Sequence, residues 1–268
     1  MERGNKGNGQ PARIAKVIAR AGLCSRREAE RWIKAGRVSI NGKVCKDPAI
    51  NIDTADGVKV DGFALPVKEP VRVWRYHKPV GLLTTERDPE KRKTIFDFLP
   101  STLPRVISVG RLDLNSEGLL LLTNDGELSR QFELPATGWE RHYRVRVFGR
   151  PQKDSLRALA NGISFAGVRY APIEVKLENQ SGANRWLRMT LREGKNREIR
   201  KVCESFGWRV NRLIRISYGP FELGNLKRGE IDEVHFRKLA EYVGPKIISC
   251  MPKVETNNSP NDKKSRRI

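Results

Sequence analysis

The sequence predicts an α+β protein built from two unequal domains. Three observations carry that expectation. Helix–helix–hairpin signals are packed into residues 12–61. From residue 71 onward, strand patterns outnumber helical ones and do not alternate regularly with them. Between the two, "GFALPVKEP" at 62–70 reads as a linker. A length of 268 residues accommodates a small domain followed by a medium one. Residues 1–11 are Gly- and Asn-rich without an apolar core, so they predict a disordered N-terminus and no signal peptide. Residues 251–268 are polar, basic and without an apolar cluster, and predict a disordered tail.

The elements follow in chain order. Ile14, Val17, Ile18 and Ala21 recur at helical spacing, and Gly22 stops that helix. Ser25 with Glu28 three residues on reads as a capping box opening a second helix. Ala29, Trp32 and Ile33 form its buried stripe and Gly36 ends it. "VSINGKV" follows as a hairpin whose Asn41-Gly42 pair suits a type I′ turn. In the second domain "VRVWRYHKPVGLLTT" opens as a strand, and "ERDPEKRKTIFDFLP" is a charged loop running into a short helix. Further strands are expected at 106–109, 143–149, 171–178 and 185–192, with helices at 125–134, 153–161 and 196–206. "LLLLT" at 119–123 reads as a buried strand.

The chain carries a formal charge of +21, of which +6 lies in the first 70 residues and +15 in the rest. Such an excess repels itself in a compact state unless a polyanion is the usual partner, which points to nucleic acid. Because both domains share the charge, both are expected to face the same polyanion. No stretch approaches the ~18 apolar residues of a membrane span. The four cysteines (Cys24, Cys45, Cys203 and Cys250) are far apart and form no Cys-x-x-Cys, which argues against a zinc site or a disulfide framework and for reduced thiols in a cytoplasmic protein. In the second helix Arg26, Arg27, Arg31 and Lys34 have few acidic neighbours and predict a phosphate-contacting face.

One stretch concentrates the chemistry: "VGRLDLNSEGLLLLTNDGEL", Val109–Leu128. Asp113, Asn115, Glu117 and Gly118 imitate the start of a calcium loop, but the twelfth position holds Asn124 where a bidentate Glu is needed. A turn that merely caps its own backbone is a second possibility. The third is a carboxylate held rigidly at the edge of a packed core, ready for reaction. Arg111 lies two residues before Asp113. Downstream, "REGKNREIRKVCESFG" carries an apolar stripe of Ile199, Val202, Cys203 and Phe206, beside which Arg200 can point into the protein and needs a carboxylate partner.

Two resemblances sharpen this reading. The first module, through Val17-Ile18-Ala19-Arg20-Ala21-Gly22, Ser25-Arg26-Arg27-Glu28-Ala29, Ile33, Gly36, Val38 and Asn41-Gly42, resembles the S4 RNA-binding domain. The segments "YHKPVGLLTTERDPE", "GRLDLNSEGLLLLTNDGEL", "ERHYRVRVFG" and "EGKNREIRKV" resemble the motifs of pseudouridine synthases, in the RsuA/RluB branch that modifies ribosomal RNA and nearest the type acting on 23S rRNA. The likeness spans residues 12–245 and implies a catalytic domain, 71–250, on a mixed, mainly antiparallel central sheet. It further implies that Asp113 is the catalytic carboxylate, Arg200 its ion-pair partner and Tyr143 a ring that stacks on uracil. Lys78, Arg87, Arg111, Lys195 and Arg197 become expected RNA contacts. Detaching uracil from C1′, turning it over and rejoining it through carbon adds no group and changes no oxidation state, so neither cofactor nor metal is implied. The target base must leave its helix to reach Asp113. A hydrolase would need a second placed carboxylate, for which Glu117 is a poor candidate. The implied partner is ribosomal RNA or a pre-ribosomal particle, met by a monomer. A non-catalytic assembly factor of the same fold, or an enzyme acting on 16S rRNA, are the alternatives.

Overall fold

The computed structural model describes residues 11–53, 57–181 and 183–243. The segments expected to be disordered, 1–11 and 251–268, lie outside these apart from Pro11, as does Cys250.

The N-terminal unit has two helices, Ile14–Arg20 and Arg26–Lys34, against an antiparallel sheet ordered Lys43–Cys45, Val38–Ile40, Val58–Val60, Phe63–Ala64. Ser25 caps the second helix by accepting the backbone N–H of Glu28 at 3.2 Å. The Glu28 carboxylate instead binds Arg31 and Arg87. Ile14, Ile18, Ala29, Ile33, Val38 and Val60 form one small apolar core. Asn41 and Gly42 both take positive φ, as the hairpin turn requires. Asp61 and Gly62 do the same, at 50° and 85°. This second turn carries Phe63–Ala64 back onto Val58–Val60, so the hairpin continues into the stretch expected to be linker, and Asp-Gly was the signal for it. The unpaired connection is residues 65–72.

The second unit is a nine-stranded sheet with the main order Glu174–Ser181, Asn184–Leu191, Arg141–Phe148, Arg209–Tyr218, Glu117–Thr123, Val73–Lys78, Ile231–Glu233. Ile107–Val109 and Phe221–Glu222 pair off this path. Pairings are antiparallel except where Ile214 and Arg215 meet Glu117 and Gly118 in parallel. The expected mixed, mainly antiparallel sheet is thus the observed one. Leu119 and Leu121 pack on one face with Phe132 and Tyr218, while Leu120 and Leu122 pack on the other with Trp74 and Tyr76. Successive side chains alternate across a sheet, so four consecutive leucines mark a strand covered on both sides. No helix among the described residues is long and apolar enough to cross a membrane.

Among the described residues, three ion pairs tie the two units together. Lys16 and Arg20 of the first helix reach Glu127, and Arg87 reaches Glu28 at 2.8 Å.

Candidate active site

The strands Ile107–Val109 and Glu117–Thr123 pair with each other, so residues 110–116 form the loop that joins them, with Asp113 near its tip. Five successive carbonyls of this loop accept hydrogen bonds. Thr84 Oγ1 donates to Leu112 at 3.0 Å, Ser116 N to Asp113 at 3.0 Å and Gly81 N to Leu114 at 2.8 Å. Arg200 Nη2 donates to Asn115 at 2.7 Å, and Lys78 Nζ to Ser116 at 3.0 Å and to Asp113 at 3.2 Å. A polar turn with its acceptors satisfied this way loses the freedom of an ordinary surface loop. The Asp113 carboxylate, 31% exposed, projects from a fixed backbone.

Asp113 lies between two hollows. The inner one, about 350 Å³, is lined by Asp113, Ser116, Tyr143, Leu213, Arg215 and Tyr218 among others. The outer groove shares Arg111, Asp113, Lys195 and Arg197 with it and adds Arg87 and Asn196. Tyr143 stands directly opposite Arg215 on the neighbouring strand, and Arg215 stands opposite Gly118 on the next. The inner wall is therefore built on three adjacent strands. Gly118 has φ 107°, and a Cβ there would sit 2.3 Å from the Arg215 carbonyl oxygen, so only glycine permits this approach.

The expected partner of Asp113 was Arg200. The cation within ion-pair distance is instead Arg197, whose Nη1 lies 3.9 Å from Asp113 Oδ2. Arg200 grips the Asn115 carbonyl and, at 3.4 Å, that of Val210. Both arginines belong to the "REGKNREIR" segment, but Arg197 opens the helix Glu198–Ser205 in a left-handed conformation that turns it toward the cavity. Arg200, one turn later, is half-buried, and its burial and the charge of Arg197 weaken its hold on its proton against the pull of Asp113.

Lys78 was expected to contact phosphate. It is fully buried, and its ammonium donates to the carbonyls of Pro79, Asp113 and Ser116. Burial pulls its pKa down to about 8, the charges of Asp113 and Glu117 opposing. It is an internal clamp for the loop. The calcium reading fails on Glu117, which is 2% exposed and held between Arg212 and Arg228 at 2.5 and 2.8 Å. Burial works against its charge, but the two guanidiniums keep its carboxyl below the usual range. Glu117 lines neither hollow.

The remaining expected RNA contacts divide. Arg111 and Arg27 have no ion-pair partner among the described residues. Arg26 lies 3.8 Å from Glu30, and Arg31 and Arg87 both bind Glu28, so the helix face is more paired than its sequence suggested. Lys195 donates to Glu193 and to the Arg169 carbonyl. His77 and His142 line neither hollow; His77 bonds the Leu226 carbonyl in a loop, and His142 the Thr190 hydroxyl on the neighbouring strand.

Sequence reasoning missed four features. Arg215 is a charged residue 3% exposed on a central strand. Ser116 is 1% exposed and lines the same cavity. Glu198 is buried next to Glu193, and burial first and that neighbour second push its pKa up to about 7. The fourth is a cleft between the domains, about 950 Å³, in which Arg20, Arg26 and Arg27 of the first unit face Arg105 and Arg130 of the second.

Comparison with known proteins bears on this geometry. Residues 72–205 match the family model described as RNA pseudouridylate synthase, and residues 12–62 match the S4 domain. The chain is 48% identical over 223 residues, 83% of its length and 96% of the relative, to a protein of Rickettsia felis named an uncharacterized RNA pseudouridine synthase. It is 40% identical over 262 residues, 95% of its length and 89% of the relative, to ribosomal large subunit pseudouridine synthase B of Salmonella typhi. A crystal structure described as pseudouridylate synthase superposes with a TM-score of 0.60 at 27% identity, covering 86% of this chain and 98% of that one.

Proposed function

The chain belongs to the RNA pseudouridylate synthase family, and from that premise we propose that it isomerises uridine to pseudouridine at a specific position in ribosomal RNA, with Asp113 as the essential carboxylate. In that reaction the C1′–N1 bond breaks, a C1′–C5 bond forms, the proton on C5 departs and N1 gains one. Atoms and oxidation states balance without a cofactor. The observation that carries the reading is the position of Asp113, a partly exposed carboxylate on a backbone clamped at five carbonyls, between an inner cavity and a basic outer groove. Fixed placement of a reacting group is worth orders of magnitude in rate.

The target nucleotide is flipped out of its helix, with its base in the inner cavity and its backbone along the outer groove. Tyr143 offers its ring for stacking on the uracil. Arg111 and Arg197 meet phosphate near the mouth. Arg27, Arg105 and Arg130, in the cleft between the domains, meet the RNA further out. The similarity to a large-subunit enzyme over 95% of this chain favours 23S rRNA as the substrate. The domain limits follow as an S4 unit through residue 64 and a catalytic unit from about residue 72.

Pseudouridine mapping of rRNA from a strain lacking the protein tests the proposal. One or more sites in large-subunit RNA should revert to uridine. An unchanged map would leave a binding factor of the same fold as the better reading.

A further inference from the structure

The inner cavity contains donors that the protein itself does not use. Arg215 is nearly fully buried, and its Nε donates to the Leu119 carbonyl at 2.7 Å, yet its Nη2 has no hydrogen-bond partner. It has no carboxylate within ion-pair distance among the described residues. Ser116 Oγ, equally buried and lining the same cavity, is also without a partner. The guanidinium also lies 5.1 Å from the Tyr218 ring centroid, so it is one nitrogen and one hydroxyl that lack a protein partner; buried polar atoms left so are unfavourable, and their occurrence at one wall points to a ligand that completes the set.

We propose that Arg215, together with Ser116 in the wall of the same cavity, recognises the edge of the target uracil, its guanidinium donating to a carbonyl oxygen of the base. The inference rests on the functional reading above and adds the residue that selects the base. Depth decides between base and phosphate. Exposed Arg111 and Arg197 line both the outer groove and the inner hollow, whereas Arg215 is buried and lines the inner hollow alone. Register decides the orientation. Tyr143 and Arg215 are direct cross-strand partners, so a base stacked on the Tyr143 ring presents its edge near the guanidinium.

Uracil fits the donor. Its edge reads acceptor, donor, acceptor across O2, N3–H and O4, and arginine only donates. Turning the base about its N3–C6 axis exchanges O2 and O4. A donor fixed in the wall therefore meets a carbonyl both before and after the turn. Cytosine carries an amino group where uracil has O4 and would set donor against donor in one of the two orientations.

The test compares RNAs whose target uridine is replaced by 4-thiouridine or 2-thiouridine, since sulfur accepts hydrogen bonds poorly. Wild type, Arg215→Lys and Arg215→Gln are assayed at single turnover, with melting temperature as the check on folding. Wild type should lose about tenfold or more on at least one thio substrate, and the same substitution should cost the variants less than about threefold. Ser116→Ala breaks no hydrogen bond of the free protein, so it should keep its melting temperature while turnover on uridine falls. An equal thio penalty in wild type and both Arg215 variants, or full activity in Ser116→Ala, overturns the assignment while leaving a synthase in place. No pseudouridine from wild type on ordinary RNA would overturn the functional reading and this inference with it.

Discussion

Lys78 Nζ lies 3.2 Å from the backbone carbonyl of Asp113, so a fully buried cation holds the main chain of the residue whose carboxylate faces the cavity. A phosphate contact would set RNA affinity, whereas a clamp sets the placement of Asp113. Lys78→Met should therefore lower kcat by about 10–100-fold and leave the Kd for RNA within about threefold, measured by single-turnover assay and equilibrium binding. The folded-state pKa of Lys78, about 8, lies below its unfolded value of 10.5. The unfolded chain thus binds more protons between these values, and wild type should gain stability relative to Lys78→Met as pH rises from 8 to 10.5.

Arg200 and Arg197 are predicted to separate. Arg200→Met removes the donor to the Asn115 carbonyl and should reduce kcat by about 10–100-fold independently of salt. Arg197 is half exposed, and its contact to Asp113 is long. Arg197→Met should cost about tenfold or less, with an effect that shrinks as ionic strength rises. Rates at two salt concentrations check both.

Glu198 and Glu193 give a signature in stability against pH. The folded-state pKa of Glu198, about 7, is above its ordinary 4.5, so the stability it contributes is complete below about pH 4.5 and lost as pH rises through 7. Glu198→Gln keeps an acceptor for the Lys195 N–H and cannot ionise. The variant should gain on wild type by an amount on the order of 1–3 kcal/mol between pH 5 and pH 8, read from urea unfolding at each pH.

The cleft between the domains should act through phosphate. Arg105→Ala and Arg130→Ala should each weaken RNA binding and flatten the slope of log K against log salt by roughly 0.7–1, with kcat at saturating RNA unchanged. A loss of kcat without a change in slope would count against an RNA-facing cleft.

Much of this architecture was legible in the chain. Ser25, Asn41-Gly42 and the period of Ile14 and Ile18 were sufficient for the small domain, and four leucines in a row marked the doubly covered strand. The strand Arg209–Tyr218 was not legible. Its pairing with Arg141–Phe148 slips twice, between His142 and Tyr143 and between Arg146 and Val147, which passes over Asn211 and Ile216. Burial therefore falls on Leu213, Arg215 and Tyr218, a pattern with no constant period of two. Lys78 precedes a Pro-Val-Gly turn and looks exposed, because no local rule shows that a later loop will fold its carbonyls over the ammonium. Arg197 and Arg200 are three residues apart on one motif. Choosing which reaches Asp113 required the left-handed φ at Arg197, a property of the fold rather than of composition.

Purified wild type and Asp113→Asn, incubated with large-subunit ribosomal RNA that lacks pseudouridine, provide the most direct test of the central claim. The clamped loop and the unchanged cation face predict normal RNA affinity for both proteins, with pseudouridine formed by wild type alone. Turnover by Asp113→Asn at the wild-type rate would contradict the account.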